Sequence, residues 1–210
     1  MSIRTLAVSA ILSLALTVSL HAQARGTNGA EATFTAGASL GDGETALALS
    51  TGLQARFASR VGSEVEILYA RKLDFALDVC PPPLLCIIGG EIPVTGRLLA
   101  LIPQLTVDVL PPSRRIQAYA QAGLGVGHVR QRYVVGPPFA NDTTERTRSN
   151  LTLALSVGGG IVARLSPRLS VGADVRLLQL RDDEATANRA ITPAGMLTTL
   201  RVGSRVGWRF

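Results

Sequence analysis

The sequence predicts an all-β chain folded as an eight-stranded antiparallel up-and-down barrel that crosses a membrane. Three features of its 210 residues carry that expectation. Eight runs alternate apolar residues with small or polar ones at period two, the mark of a strand with two unlike faces. Short and long connections take turns along the chain. The face opposite the apolar one is rich in Gly, Ser, Thr and Gln, which makes a poor solvated surface but a good crowded interior.

Residues 1–24 stand apart from the fold. Arg4 gives a positive start, Thr5 to Leu20 is a nearly unbroken apolar run, and Ala22-Gln23-Ala24 supplies a small-residue cleavage site. This reads as a secretory signal peptide, because the run is short for a membrane-spanning helix and the cleavage site follows at once. Residues 25–210 are then expected to form one exported domain, the barrel itself.

The first run, EATFTAGASL, sets Phe34, Ala36, Ala38 and Leu40 against Thr33, Thr35, Gly37 and Ser39, and GDGE turns it. The second, TALALSTGLQARF, sets Leu47, Leu49, Leu53 and Phe57 against Ala48, Ser50, Gln54 and Arg56. In the third, VGSEVEILYARKL, Val65, Ile67 and Tyr69 oppose Glu64, Glu66 and Leu68. The fourth, GRLLALIPQLTVDVL, has Leu99, Leu101, Leu105 and Val107 against Gln104, Thr106 and Asp108. Pro103 weakens this run, since proline cannot donate to a ladder and marks an edge or a bulge.

The fifth run, RIQAYAQAGLGVGHV, opposes Ile116, Leu124 and Val126 to Gln117, Tyr119 and Gln121. The sixth, LTLALSVGGGIVARL, opposes Leu151, Leu153, Leu155 and Ile161 to Thr152, Ser156 and Arg164. The seventh, LSVGADVRLLQL, opposes Val171, Val175 and Leu177 to Ser170, Asp174 and Arg176. The eighth ends RVGSRVGWRF, with Val202, Val206, Trp208 and Phe210 on one face and Arg201, Arg205 and Arg209 on the other.

The connections after runs two, four and six are tight (SRVG, PPSRR, SPR). Those after three, five and seven are long and polar, spanning roughly residues 74–95, 136–149 and 181–195. One rim is therefore trimmed and the other elaborated. Runs of about 10 residues, with short turns on the periplasmic side and longer loops outside, are expected of a barrel whose apolar face meets lipid. Eight runs put both termini on the short-turn, periplasmic side. A soluble lipocalin-like periplasmic barrel is the inverted alternative, with the apolar face inside.

With the polar face inward, Arg56, Arg176, Arg201 and Arg205 share the lumen with Glu64, Glu66, Asp108 and Asp174. A buried charge needs a partner, and eight strands enclose a space that side chains just fill. An internal ion-pair network with no open pore is therefore expected. Arg209 and Arg164 fall near the rims. Phe34 and Phe57 lie on the lipid face at the periplasmic ends, Tyr69 near the outer end and Tyr133 beyond it, where interfacial aromatics belong.

The signal peptide, the eight alternating runs and the terminal VGSRVGWRF resemble the small OmpA/OmpX-type barrels of Gram-negative outer membranes, the outer membrane protein beta-barrel domain superfamily. The resemblance implies an integral, monomeric barrel in the cell outer membrane with a structural or surface-interaction role. It also implies that Val206, Trp208 and Phe210 form a C-terminal signal for the barrel assembly machinery. Outer-membrane lipids and lipopolysaccharide are the implied partners, with no cofactor. Arg130, Arg132, Arg146 and Arg148, around the second long connection, are candidates to contact lipopolysaccharide phosphates, for which guanidinium is well suited.

Other chemistries are weakly served. Some such barrels modify lipid A, and His128 is the only histidine after the signal peptide; a base also needs a nucleophile within hydrogen-bond reach. A small porin is a further alternative. VGGGIV and GLGVG lack the Lys-Ser/Thr pair and following helix of a phosphate loop. The net charge of +6 sits almost wholly on arginines scattered through strands, with Lys72 the one lysine, and so does not point to nucleic acid. Cys80 and Cys86 bracket PPPLL; in an exported chain they read as a disulfide closing a small loop, with free thiols the alternative. They are too few for a metal site.

Overall fold

A computed structural model describes residues 29–41, 44–74, 95–110, 115–135, 144–181 and 196–210. The expected signal peptide and Cys80 and Cys86 lie outside the described residues. The strands are β1 (Glu31–Gly41), β2 (Glu44–Arg56), β3 (Val61–Asp74), β4 (Thr95–Asp108), β5 (Ile116–Val135), β6 (Thr144–Arg164), β7 (Leu169–Arg181) and β8 (Met196–Arg209). Each pairs antiparallel with the next, and β1 pairs with β8 from Glu31 opposite Arg209 to Leu40 opposite Leu200. The sheet is thus a closed up-and-down barrel of eight strands. Closure leaves no row of unpaired backbone groups along the wall.

Six strands agree with the alternating runs to within a residue or two. β5 and β6 are longer than the runs, reaching Val135 and starting at Thr144, so much of the second polar connection is ladder. The pairs Gln131 with Arg148 and Val135 with Thr144 extend the hairpin. The apolar alternation stops before the hydrogen bonding does, because the extension has no apolar face to present. Tyr133, Val134, Val135 and Thr147 still suit an extended backbone.

Pro103 acts on one side of its strand only. It stands opposite Val65 in the β3 ladder, while the β4–β5 ladder passes from Leu101 opposite Val126 directly to Gln104 opposite Gly123. The register is unchanged across this gap. The missing N–H costs local pairing with one neighbour and leaves the barrel closed. A bulge between Arg71 and Leu73 in the β3–β4 ladder takes up Lys72.

The short turns are tied by backbone bonds from Phe57 N to Val61 O (3.2 Å) and from Leu165 N to Leu169 O (3.0 Å). Ser166 adds its hydroxyl, accepting from Leu169 N at 3.0 Å, a local turn bond typical of serine.

The two faces of the wall are opposite in character. Leu47, Leu105, Ile116, Ile161, Leu151 and Val175 point outward, each about half or more exposed. Inside, the barrel divides along its length. At the long-loop end, Leu68, Leu98, Ile102, Leu178, Leu180, Val129 and five alanines pack into a buried apolar cluster. From the middle to the short-turn end the interior is polar and charged. Glycines make room for this. A Cβ at Gly160 would lie 2.3 Å from the Ala173 carbonyl oxygen and 2.7 Å from the Tyr119 hydroxyl.

The β1–β8 seam gives a direct test of closure. Cysteines at Ala36 and Ser204 stand opposite one another across it, where Cβ atoms lie about 4.5–5.5 Å apart. In a chain whose own cysteines are replaced by serine, this pair is expected to crosslink on mild oxidation. A cysteine pair at Ala36 and Leu200, out of register, is expected not to. Peptide mapping under non-reducing conditions reads the result.

Candidate functional site: the charged lumen

The chemistry-bearing side chains collect inside the wall because period-two alternation sends every second residue there. At the centre lies Glu66 on β3, 1% exposed. Arg176 Nη1 donates to its Oε2 at 2.7 Å and Arg201 Nη2 to its Oε1 at 2.8 Å, so the carboxylate joins β7 and β8 across the lumen. The Gln104 amide also donates to Glu66, and Arg201 donates to Ser50 Oγ at 3.2 Å. Arg176 is shared in turn with Asp174, Nε to Oδ1 at 2.6 Å. The Gln121 carboxamide, oriented by its surroundings, turns its oxygen to Arg176, 2.9 Å from Nη2.

One layer nearer the short turns, Arg205 Nη2 donates to Glu64 Oε2 (3.1 Å) and Gln54 Oε1 (3.2 Å). Thr33 Oγ1 donates to the other Glu64 oxygen at 2.8 Å. Tyr119 links the layers. Its hydroxyl donates to Asp174 Oδ2 at 2.5 Å and accepts from Arg205 Nη1 at 3.3 Å, and the Arg205 guanidinium carbon lies 5.1 Å from the ring centroid. Gly52 gives Glu64 its place, since a Cβ there would come within 2.5 Å of the carboxylate.

The inner set balances. Arg176, Arg201 and Arg205 face Glu64, Glu66 and Asp174, three cations against three anions, all at most 5% exposed. Charges held out of water persist when paired and hydrogen-bonded, and here each has both. At the short-turn rim, Arg56 pairs with Asp108, and Arg209 pairs with Glu31 at 3.3 Å. Ser170 donates to the same glutamate at 2.9 Å. Arg164 donates to Gln117 Oε1 at 3.2 Å. Glu31, Arg56, Asp108, Arg164, Arg205 and Arg209 line a recess of about 20 Å³, room for a water or two.

Of the eight lumen residues singled out in the sequence, Glu64, Glu66, Asp174, Arg176, Arg201 and Arg205 meet in the inner set, and Arg56 and Asp108 pair with each other at the rim. Sequence reasoning did not reach Tyr119 as the link, the Gln54 and Gln104 amides, the Glu31–Arg209 pair or the apolar cluster above them. Lumen parity was the available signal for the first three, but it names no partner. Val206 and Trp208 face outward, opposite Phe34 and Ala32, and Phe210 is 73% exposed. Phe34, Phe57 and Tyr69 are also outward and exposed; the side chain of Tyr133 lies outside the described residues. Arg130 and Arg132 are exposed on the outer face. Positions 146 and 148 pair with Tyr133 and Gln131, and their side chains lie outside the described residues.

His128 points outward between Leu99 and Leu151. Ser156 is buried in the lumen, on the other side of the wall. Ser149 stands opposite Arg130 rather than His128, and no hydrogen bond joins it to His128 among the described residues. No cluster of metal-ligating side chains occurs among the described residues. The arrangement is suited to holding a wall together, and among the described residues no hydrogen bond joins His128 to a serine.

The chain matches no protein-family model and no curated protein sequence. Solved structures do match. A major outer membrane protein from Thermus thermophilus superposes with a TM-score of 0.59 at 17% identity, over 86% of this chain and 99% of that one. Neisserial surface protein A superposes with a TM-score of 0.56 at 10% identity, over 86% of this chain and 96% of that one. The fold is that of the small eight-stranded outer-membrane barrels.

Glu66→Gln removes the carboxylate that holds two buried guanidiniums. It is expected to lower unfolding free energy by roughly 3–5 kcal/mol, the cost of breaking a buried pair from one side. Arg209→Gln acts on a longer contact whose arginine is 29% exposed and is expected to cost about 1 kcal/mol or less. Denaturant titration of the folded barrel in detergent compares the two.

Proposed function

We propose that the protein is an integral barrel of the cell outer membrane, monomeric and non-conducting, whose role is structural and surface-interactive. It strengthens the envelope and carries its long loops outside the cell. The observation that carries this reading is the inversion of the wall, with apolar side chains outward and a balanced set of ions inward. Outward leucines, isoleucines and valines on every strand, such as Leu47 at 61% and Ile161 at 57% exposed, form a continuous apolar surface. A soluble monomer rarely leaves more than about 300–600 Å² of contiguous apolar surface in water, so a soluble periplasmic barrel does not fit this face. No helix among the described residues is long and apolar enough to cross a membrane, so any crossing falls to the strands, and a closed barrel satisfies their backbone groups in lipid.

The filled interior favours a structural role over a pore. Arg176, Leu68, Leu98, Ile102 and Glu66 are each at most 1% exposed, and side chains packed this closely in both halves of the lumen support the non-conducting reading. The outward, apolar setting of His128 likewise favours a non-enzymatic protein. In this reading an N-terminal signal peptide directs export, and the outward Val206 and Trp208 with Phe210 engage the assembly machinery.

An outer-membrane fraction run unboiled and boiled tests the reading. The unboiled protein is expected to resist SDS and to migrate differently after heating. Fractionation with the soluble periplasm and no mobility shift would overturn it. In planar bilayers no stable conductance steps are expected. Incubation with lipid A is expected to release no acyl chain, from the wild type or from His128→Ala.

A further inference from the structure

Toward the long-loop end, the outward apolar band finishes on one level: Tyr69, Leu99, His128 and Leu151 stand opposite one another across β3, β4, β5 and β6. Two residues further along, the same face changes character. Arg71 stands directly opposite Arg97, and Arg97 directly opposite Arg130. All three are exposed, and among the described residues no carboxylate pairs with any of them. Neighbouring strands lie about 4.8 Å apart, so three guanidinium stems share about 10 Å of wall. Like charges directly opposite destabilise a sheet. On the inner side Arg56, Arg176, Arg201, Arg205 and Arg209 each have a carboxylate partner, and among the described residues these three have none.

We propose that Arg71, Arg97 and Arg130 form a binding site for a lipid headgroup carrying two or more phosphate groups. The inference rests on the membrane-spanning reading given above. Three observations support it. The row lies on the outer wall, where only lipid or water can approach. It sits one step beyond the apolar band, at the depth of headgroups rather than of acyl chains. Its chemistry, three forked donors with no carboxylate partner among the described residues, matches phosphate oxygens, and its span suits a ligand with more than one phosphate. Arg130 therefore works across the sheet with Arg71 and Arg97, in addition to any contact made along its own hairpin.

The test uses the full folded barrel in detergent micelles. Diphosphoryl lipid A or its dephosphorylated form is added in steps, and bound lipid is counted by native mass spectrometry. One diphosphoryl lipid A is expected to bind about tenfold or more tightly than the dephosphorylated lipid. The variant carrying Arg71→Gln, Arg97→Gln and Arg130→Gln is expected to lose that preference. A control carrying Arg60→Gln, Arg115→Gln and Arg168→Gln, exposed at the opposite rim, is expected to keep it. Equal preference in the first variant and the wild type would overturn the site. Full displacement of the lipid by excess inorganic phosphate would overturn the lipid assignment in favour of a small-anion site. The heat-dependent gel shift of each preparation separates the two levels. A protein that shifts but shows no phosphate preference removes the site and keeps the barrel, whereas one that never shifts removes both.

Discussion

The constraint on which the structure turns is charge neutrality in a space too narrow for bulk water. Glu66 cannot be held at 1% exposure without guanidiniums on both sides, and the lumen supplies them from β7 and β8. The rest of the polar half follows from that requirement. Further donors and acceptors of these charged groups are met by Gln54, Gln104, Thr33 and Tyr119, while Arg201 Nη1 is buried with no hydrogen-bond partner among the described residues. The partners need room, which Gly52 and Gly160 leave by having no side chain. The network is therefore a set of mutually dependent groups, and its worth is not the sum of its pairs.

The lumen is not uniform, and its two halves do different physical work. The apolar cluster at the long-loop end fills its volume without any polar group to satisfy, and it covers the ionic layers from that side. At the other end the charges grade into the rim, where Arg56 and Arg209 are partly exposed. Low dielectric in the middle strengthens both the pairing and the penalty for a missing partner. The barrel thus has a dry end and a wet end, with its most demanding electrostatics between them.

Much of this was legible in the sequence because alternation is arithmetic. Once the outward face is known, Glu64, Glu66, Asp174, Arg201 and Arg205 must all point inward. Who meets whom was not legible, since it depends on strand register and on side-chain reach between residues such as Arg201 and Glu66, 135 positions apart. The apolar half was hidden for a different reason. The stretch LLALI in β4 is apolar on both faces and RLLQL in β7 carries leucines on both, so little contrast marks Leu98, Ile102, Leu178 and Leu180 as interior. The far ends of β5 and β6 were hidden by the reverse case, strand continued without an apolar face. The row of three arginines was visible residue by residue, but it became a row only when the register set them side by side.

The sequence separation of the inner pairs has a kinetic consequence. Arg201 and Arg205 belong to β8, the last strand in chain order, and their partners Glu64 and Glu66 belong to β3. A barrel assembled from its first seven strands would hold Glu64 with no guanidinium from β8 and Glu66 with only Arg176. Contacts this distant in sequence form late, because the intervening chain must be ordered first. The arrival of β8 therefore supplies the final charges and the final seam in one event. Sealing the wall and neutralising its contents are coupled, so a partly closed barrel is penalised twice and the last step is strongly cooperative.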